Sequence, residues 1–118
     1  MRAVGDAFEQ RACVELERAG LSLLVRNYST RYGELDLVMR DGNTIVFVEV
    51  RYRKHALHGD AAASITNSKQ SRLIKTAELW LTQNPRYARA SCRFDVVTYD
   101  GPLETERVSW IRAAFEAA

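Results

Sequence analysis

Two β-forming runs, Gly33 to Arg40 and Thr44 to Arg53, stand on either side of an Asp41-Gly42 dipeptide, and Asp-Gly between alternating hydrophobics is among the strongest short-range signals for a hairpin. An antiparallel pair in the middle of the chain is therefore what the rest must pack around. Each run carries a carboxylate among apolar neighbours, Asp36 in Gly33-Glu34-Leu35-Asp36-Leu37-Val38 and Glu49 in Val46-Phe47-Val48-Glu49-Val50-Arg51. An uncompensated buried ion costs on the order of several kcal/mol. Either an arginine or a bound metal ion must answer the two charges.

With Asp41 and Gly42 as the central residues of a tight turn, Arg40 faces Asn43, Glu34 faces Glu49 and Asp36 faces Phe47. Asp36 and Glu49 then share one face as diagonal neighbours, whose Cα atoms lie roughly 7 to 8 Å apart. A one-residue slip would throw them to opposite faces. Hard divalent cations take carboxylate and carbonyl oxygens, so Asp36, Glu49 and the Val50 carbonyl offer a partial shell. Arg51, on the face of Glu49, offers the rival ion pair. Spacing alone leaves the two readings level.

Around the hairpin, Val4, Phe8, Ala12, Leu16 and Ala19 recur at helical spacing, with Gly20 as a stop. Leu21 to Tyr28 reads as a strand and Ser29 to Tyr32 as a connection. In the hairpin, Leu35, Leu37 and Met39 share one face, with Glu34, Asp36 and Val38 on the other. The Thr44 strand is apolar on both faces over its first half, which predicts a central, doubly covered position. His55 to Ser64 reads as a loop, and Thr66 as the cap of a second helix that Pro85 stops. Leu73, Ile74, Ala77, Trp80 and Leu81 form its apolar stripe. Ser91 to Tyr99 is a fourth strand, followed by an Asp100-Gly101-Pro102 turn. Glu106 to Trp110 is expected as a short strand and Ile111 to Ala117 as a short helix. The order α-β-β-β-α-β plus a short C-terminal strand and helix predicts one α/β domain over residues 1–118, a sheet with helices on both faces.

The 118 residues carry a formal net charge of +2 and are 47% hydrophobic, the composition of a globular domain. No apolar run is long enough to span a membrane, and Asp6, Glu9 and Arg11 stand where a signal peptide would be apolar. A cytoplasmic protein is the expectation. Cys13 and Cys92 are isolated, which argues against a disulfide framework or zinc knuckle. His55 and His58 lack further ligands for zinc. Arg51, Arg53, Lys54, Lys69, Arg72 and Lys75 concentrate positive charge just after the Glu49 strand, either as a solvated face or as a surface for phosphates. Tyr28, Tyr32, Tyr52 and Tyr87 are too scattered along the chain to predict a base-stacking platform. Asp95, inside an apolar strand, points to a buried partner such as Arg93 or a helix N-terminus.

Gly5 and Glu9, Asn27-Tyr28, Gly33-Glu34-Leu35-Asp36-Leu37, Val46 to Arg51, Lys69-Gln70 with Arg72-Leu73, and Arg93-Phe94-Asp95-Val96-Val97 together resemble the YraN-like family of small bacterial proteins. The likeness runs in order along almost the whole chain. It implies a branch of the PD-(D/E)xK nuclease superfamily, with the restriction-endonuclease-like mixed β-sheet flanked by helices that Holliday-junction resolvases share. By that resemblance Asp36 is the metal-binding aspartate, Glu49 the acid of the Glu-x-Lys element, and Glu9 a first-helix acid that completes the metal shell. Arg51 departs from the pattern, which has lysine there. Arginine cannot deprotonate a water, because its pKa lies above about 12, though it can steady charge developing on a phosphate.

The reading is thus an endonuclease-like protein using Mg²⁺ or Mn²⁺ to hydrolyse DNA, branched or single-stranded. Asp36, Glu49 and Arg51 carry the chemistry, with Val50 and Glu9 adding to the metal shell. Lys69, Gln70, Arg72 and Lys54 contact the nucleic acid, and Glu34 stands behind Asp36. The alternative is a weak or inactive nucleic-acid-binding protein of the same fold. A homodimer would suit cleavage of two strands, but no stretch marks a dimer face.

Overall fold

The computed structural model describes residues 3–55 and 62–117. Helix α1 spans Ala3–Arg18, followed by β1 (Ser22–Thr30), β2 (Gly33–Asp41), β3 (Thr44–Arg53), α2 (Asn67–Gln83), β4 (Ser91–Asp100) and β5 (Arg107–Phe115). The five strands form one sheet in sequence order. All neighbours are antiparallel except β3 and β4, which run parallel. A parallel pair needs a crossover, and α2 lies within it. β3 is central, as its two apolar faces predict.

The helices cover opposite faces. On one side Phe8, Ala12, Cys13 and Leu16 of α1 pack on Leu37, Met39, Val46, Val48, Val97 and Tyr99. On the other, Leu73, Ala77 and Trp80 of α2 pack on Leu35, Val38, Ile45, Phe47, Phe94 and Val96. The α1 stripe ends earlier than its periodicity suggests. Ala19 is exposed beyond the helix, where Gly20 at φ +103° allows its own amide to reach the Glu17 carbonyl and the Leu21 amide to reach Leu16, a Schellman ending. The side chain of Val4, and His58 with most of the 55–64 loop, lie outside the described residues. α2 starts as expected, the Thr66 hydroxyl accepting from the Lys69 amide at 3.2 Å. Among the described residues no helix is long and apolar enough to cross a membrane.

Three expectations need correction. The β2–β3 turn is centred on Gly42-Asn43, since Asp41 pairs with Thr44. Glycine takes the first central position at φ +60°, the place a type II′ turn reserves for it, while Asp41 stays in the strand and binds Arg93 at 3.0 Å. The register therefore moves by two residues, which preserves the faces. Residues 111–115 continue β5 instead of forming a helix, because pairing with β4 outweighs the helix propensity of the alanines. Ser29 and Thr30 extend β1, leaving only Arg31 and Tyr32 in the first turn.

The inner face of β2 also departs from simple alternation. Leu37 and Met39 face α1, but Leu35 packs towards α2. The cause is that the β2–β3 ladder stops at Leu37↔Val48 although both strands continue. β2 beyond that point stays paired with β1 alone, and β3 with β4. The sheet is split where Asp36 and Glu49 stand.

Candidate metal centre

At the split, backbone groups of β3 lose their partners on β2. The Val50 amide is answered by Asp36 itself, whose Oδ2 accepts it at 2.8 Å, so a side chain takes the place of a ladder carbonyl. The shifted register sets Asp36 level with Glu49, one step past the last pair, near enough for the charge of Glu49 to act on the Asp36 carboxyl. Both are buried, as is Glu9, which α1 brings over the same end of the sheet. Ligand oxygens of Glu9, Glu34 and Asp36 lie within 4.8 Å of one another. Acids from α1 and β2 thus converge on one point, with Glu49 of β3 beside them on the wall of the same cleft.

Burial, then the negative charge of Glu49, and to a lesser degree that of Glu9, push the Asp36 carboxyl up to about 9, against the stabilising pull of the Val50 amide. Carboxylates crowded in low dielectric favour positive charge between them. Among the described residues, Lys69 and Arg26 each approach one of these acids. Lys69, at the start of α2, places Nζ 2.9 Å from Glu49 Oε2, and Arg26 of β1 lies 3.9 Å from Glu9.

Lys69, and not Arg51, is therefore the cation that meets Glu49. Among the described residues Arg51 forms no ion pair with either strand carboxylate. A cleft of about 130 Å³ opens over the acids, lined by Glu34, Asp36, Glu49, Lys69, Arg72 and Leu73. Gln70 turns its amide to the Ile65 carbonyl at 3.0 Å instead, while Lys54 is exposed in the turn just after β3. Glu34, expected behind Asp36, belongs to the cluster itself and accepts from Ser29 at 2.8 Å. No spacing in the sequence marks Arg26 as a neighbour of Glu9, since only the packing of α1 on the sheet joins them.

Asp95 is a different case. It is fully buried, and accepts from Arg93 Nε at 3.0 Å, Trp110 Nε1 at 2.9 Å and the Ala113 amide at 3.0 Å. Its lone pairs are taken up by a bulge of β5, where Ala113 sits at φ +50°. It serves the fold.

A mixed five-stranded sheet with one helix on each face, opened where strand acids meet a helix acid, belongs to the restriction-endonuclease-like superfamily. The family described as Uncharacterised protein family UPF0102 matches residues 8–99, and the chain belongs to that family. A UPF0102 protein of Stutzerimonas stutzeri (strain A1501) is 50% identical over 113 residues, covering 96% of this chain and 94% of that protein. The UPF0102 protein YraN of Escherichia coli (strain SMS-3-5 / SECEC) is 50% identical over 115 residues, covering 97% and 85%. The YraN protein of Shigella sonnei (strain Ss046) matches to the same extent. Among solved structures, Pyrococcus furiosus SfsA in complex with Ca²⁺ aligns with a TM-score of 0.41 at 17% identity, over 98% of this chain and 64% of that one. So distant a likeness says nothing about chemistry.

The residues at the split suit a hard divalent cation. Their donors are all oxygens, they come from separate elements, and their mutual repulsion is what a cation between them would relieve.

Proposed function

We propose that this protein is a divalent-metal-dependent nuclease acting on DNA, and the observation that carries the reading is the convergence of Glu9, Glu34 and Asp36 beside Glu49 under a cleft edged by Lys69 and Arg72. Asp36 and Glu49 would hold the ion, with Glu9 or Glu34 completing its protein ligands. A bound Mg²⁺ or Mn²⁺ would supply positive charge and a water acidified towards neutrality. Lys69 and Arg72 line the same opening, where a phosphodiester would meet their charge. Lys69 is fixed by the first turn of α2, and its contact with Glu49 keeps its ammonium beside the acids. It supplies there the positive charge that the superfamily pattern draws from a strand lysine, and Arg51 is relieved of that task. As an electrostatic clamp it stabilises charge developing on the phosphate oxygens without giving up a proton.

The test is cleavage of single-stranded, branched and duplex DNA with Mg²⁺ or Mn²⁺. Lys69→Met is expected to lower the rate about 100-fold, the scale of removing one electrostatic stabiliser. Arg51→Lys should change it little. A large gain from Arg51→Lys would instead return the clamp to the strand position. The Lys69–Glu49 contact also favours a second reading, a nucleic-acid-binding protein of the same fold without cleavage, since it neutralises one acid internally. That reading predicts salt-sensitive DNA binding and no cleavage with either metal.

A further inference from the structure

Tyr28 and Tyr32, distant from the other tyrosines and unpromising as a platform in the sequence, meet in a second hollow of about 430 Å³ between the β1–β2 hairpin and α2. Residues 69, 72, 75, 79 and 83 of α2 recur every three or four positions and so form one line along the helix. Lys69 and Arg72 line the acid cleft, Lys75 stands 5.7 Å from the Tyr32 ring centre, and Leu79 and Gln83 line the second hollow. The line is about 20 Å long. The hairpin is fastened along it, by Thr30 Oγ1 at 3.5 Å from Thr76 Oγ1 and by a hydrogen bond between the Tyr28 hydroxyl and Gln83.

Tyr32, in the wall of the hollow, is next in sequence to Gly33 in the wall of the cleft, so the two openings are neighbours along α2. The exposed Arg31 places its guanidinium 4.9 Å from the Tyr32 ring centre and donates to the Tyr32 hydroxyl at 2.8 Å. An aromatic ring flanked by two cations, beside a second cationic opening, has the complement of an unpaired nucleotide: a π-face for the base and positive charge for the phosphates. A duplex keeps its bases stacked inside and has no free face to offer Tyr32. Charge and shape both point to a single strand.

From this adjacency along one helix we infer that the hollow is a subsite for unpaired nucleic acid leaving the acid cleft, with a base stacked on Tyr32 and the backbone along Arg31 and Lys75. It rests on the nucleic-acid reading of the cleft and makes that reading narrower. The preferred substrate is single-stranded on at least one side of the scissile phosphate.

Affinity for a fluorescein-labelled oligothymidylate, read by anisotropy in EDTA, tests the subsite apart from any cleavage. The wild type is expected to bind the single strand more tightly than a duplex of equal length. Tyr32→Ala should weaken single-strand binding about ten-fold, the scale of losing one stacked base, while Tyr32→Phe retains it. Arg31→Ala, at an exposed position that leaves the fold alone, should flatten the logarithmic salt dependence by about 0.7, one phosphate contact. Unchanged affinity in Tyr32→Ala and an unchanged salt slope in Arg31→Ala would overturn the subsite even if DNA is cleaved normally. The expected losses, in a protein that cuts no DNA with Mg²⁺ or Mn²⁺, would sink the nuclease reading and leave the subsite standing.

Discussion

Asp36→Asn is expected to abolish metal-dependent cleavage and, in the same protein, to raise stability in the absence of metal. The amide oxygen can still accept the Val50 amide that Asp36 now takes at 2.8 Å, so the split strands keep their shape. What disappears is a carboxyl that burial beside Glu49 and Glu9 disfavours in its charged form, so that the folded protein must hold a proton there. Cleavage should fall on the order of 1,000-fold, as when a principal stabiliser of the reacting phosphate is removed. Metal-free stability should rise by about 1 to 2 kcal/mol at neutral pH, the usual gain on relieving a strained functional site.

The pH dependence gives the sign of the effect. Burial and the neighbouring acids raise the Asp36 carboxyl from its ordinary value of 3.8 to about 9. Between those values the folded protein holds a proton that the unfolded chain releases, so wild-type stability falls as pH rises across that window. The advantage of Asn over Asp should therefore be small near pH 4 and widen towards pH 9. Thermal unfolding in EDTA at several pH values measures it, and an advantage that narrows with rising pH would contradict this account of the site. Added Mg²⁺ should raise the melting temperature of the wild type and leave Asp36→Asn unmoved.

Asp95→Ala is expected to be the most damaging single change to the fold, at about 3 to 5 kcal/mol, the cost of stranding the partner of a buried ion pair. The substitution leaves Arg93 Nε, the Trp110 indole N–H and the Ala113 amide facing a void, with Arg93 keeping its contact with Asp41. It also frees the β5 bulge, because the Ala113 amide, at positive φ, has its acceptor in Asp95. Asp95→Asn, which keeps an acceptor oxygen, should cost less. Urea denaturation of the metal-free protein gives both numbers, and a near-neutral Asp95→Ala would mean that β5 contributes little to the sheet.

The contrast between Asp36 and Asp95 shows which parts of this molecule its residues announce. Both are aspartates in apolar strands, and local pattern alone cannot separate a carboxylate saturated by donors from one facing other acids. For Asp95 the nearby Arg93 supplied a partner two residues away, and the structure bears that out. For Asp36 the hairpin supplies Glu49, another acid, while Glu9 arrives only through the packing of α1 on the sheet. The hairpin itself was legible, but its turn was placed one residue early, since Asp-Gly describes a common turn and the chain uses Gly-Asn with glycine leading. A two-residue change of register leaves every side chain on its face, so the pairing of Asp36 with Glu49 survived the error. Leu35 did not follow its alternation, because alternation assumes a continuous ladder and this one is open. The Lys69 contact was invisible for the same reason as that of Arg26. Each depends on where a helix crosses the sheet, and no spacing along the chain encodes it.

The opening between β2 and β3 beyond Leu37 and Val48 also divides the molecule by how its backbone is locked. On one bank β2 is zipped to β1, and on the other β3 is zipped to β4. Segments joined by continuous ladders tend to open as units, and a place where the ladder fails is a natural seam between them. Asp36 belongs to one bank and Glu49 to the other, so their separation is governed by the breathing of that seam as well as by side-chain rotation. A cation seated between them would act as a staple across the sheet, joining the two halves of the fold by the same bonds that prepare it for chemistry.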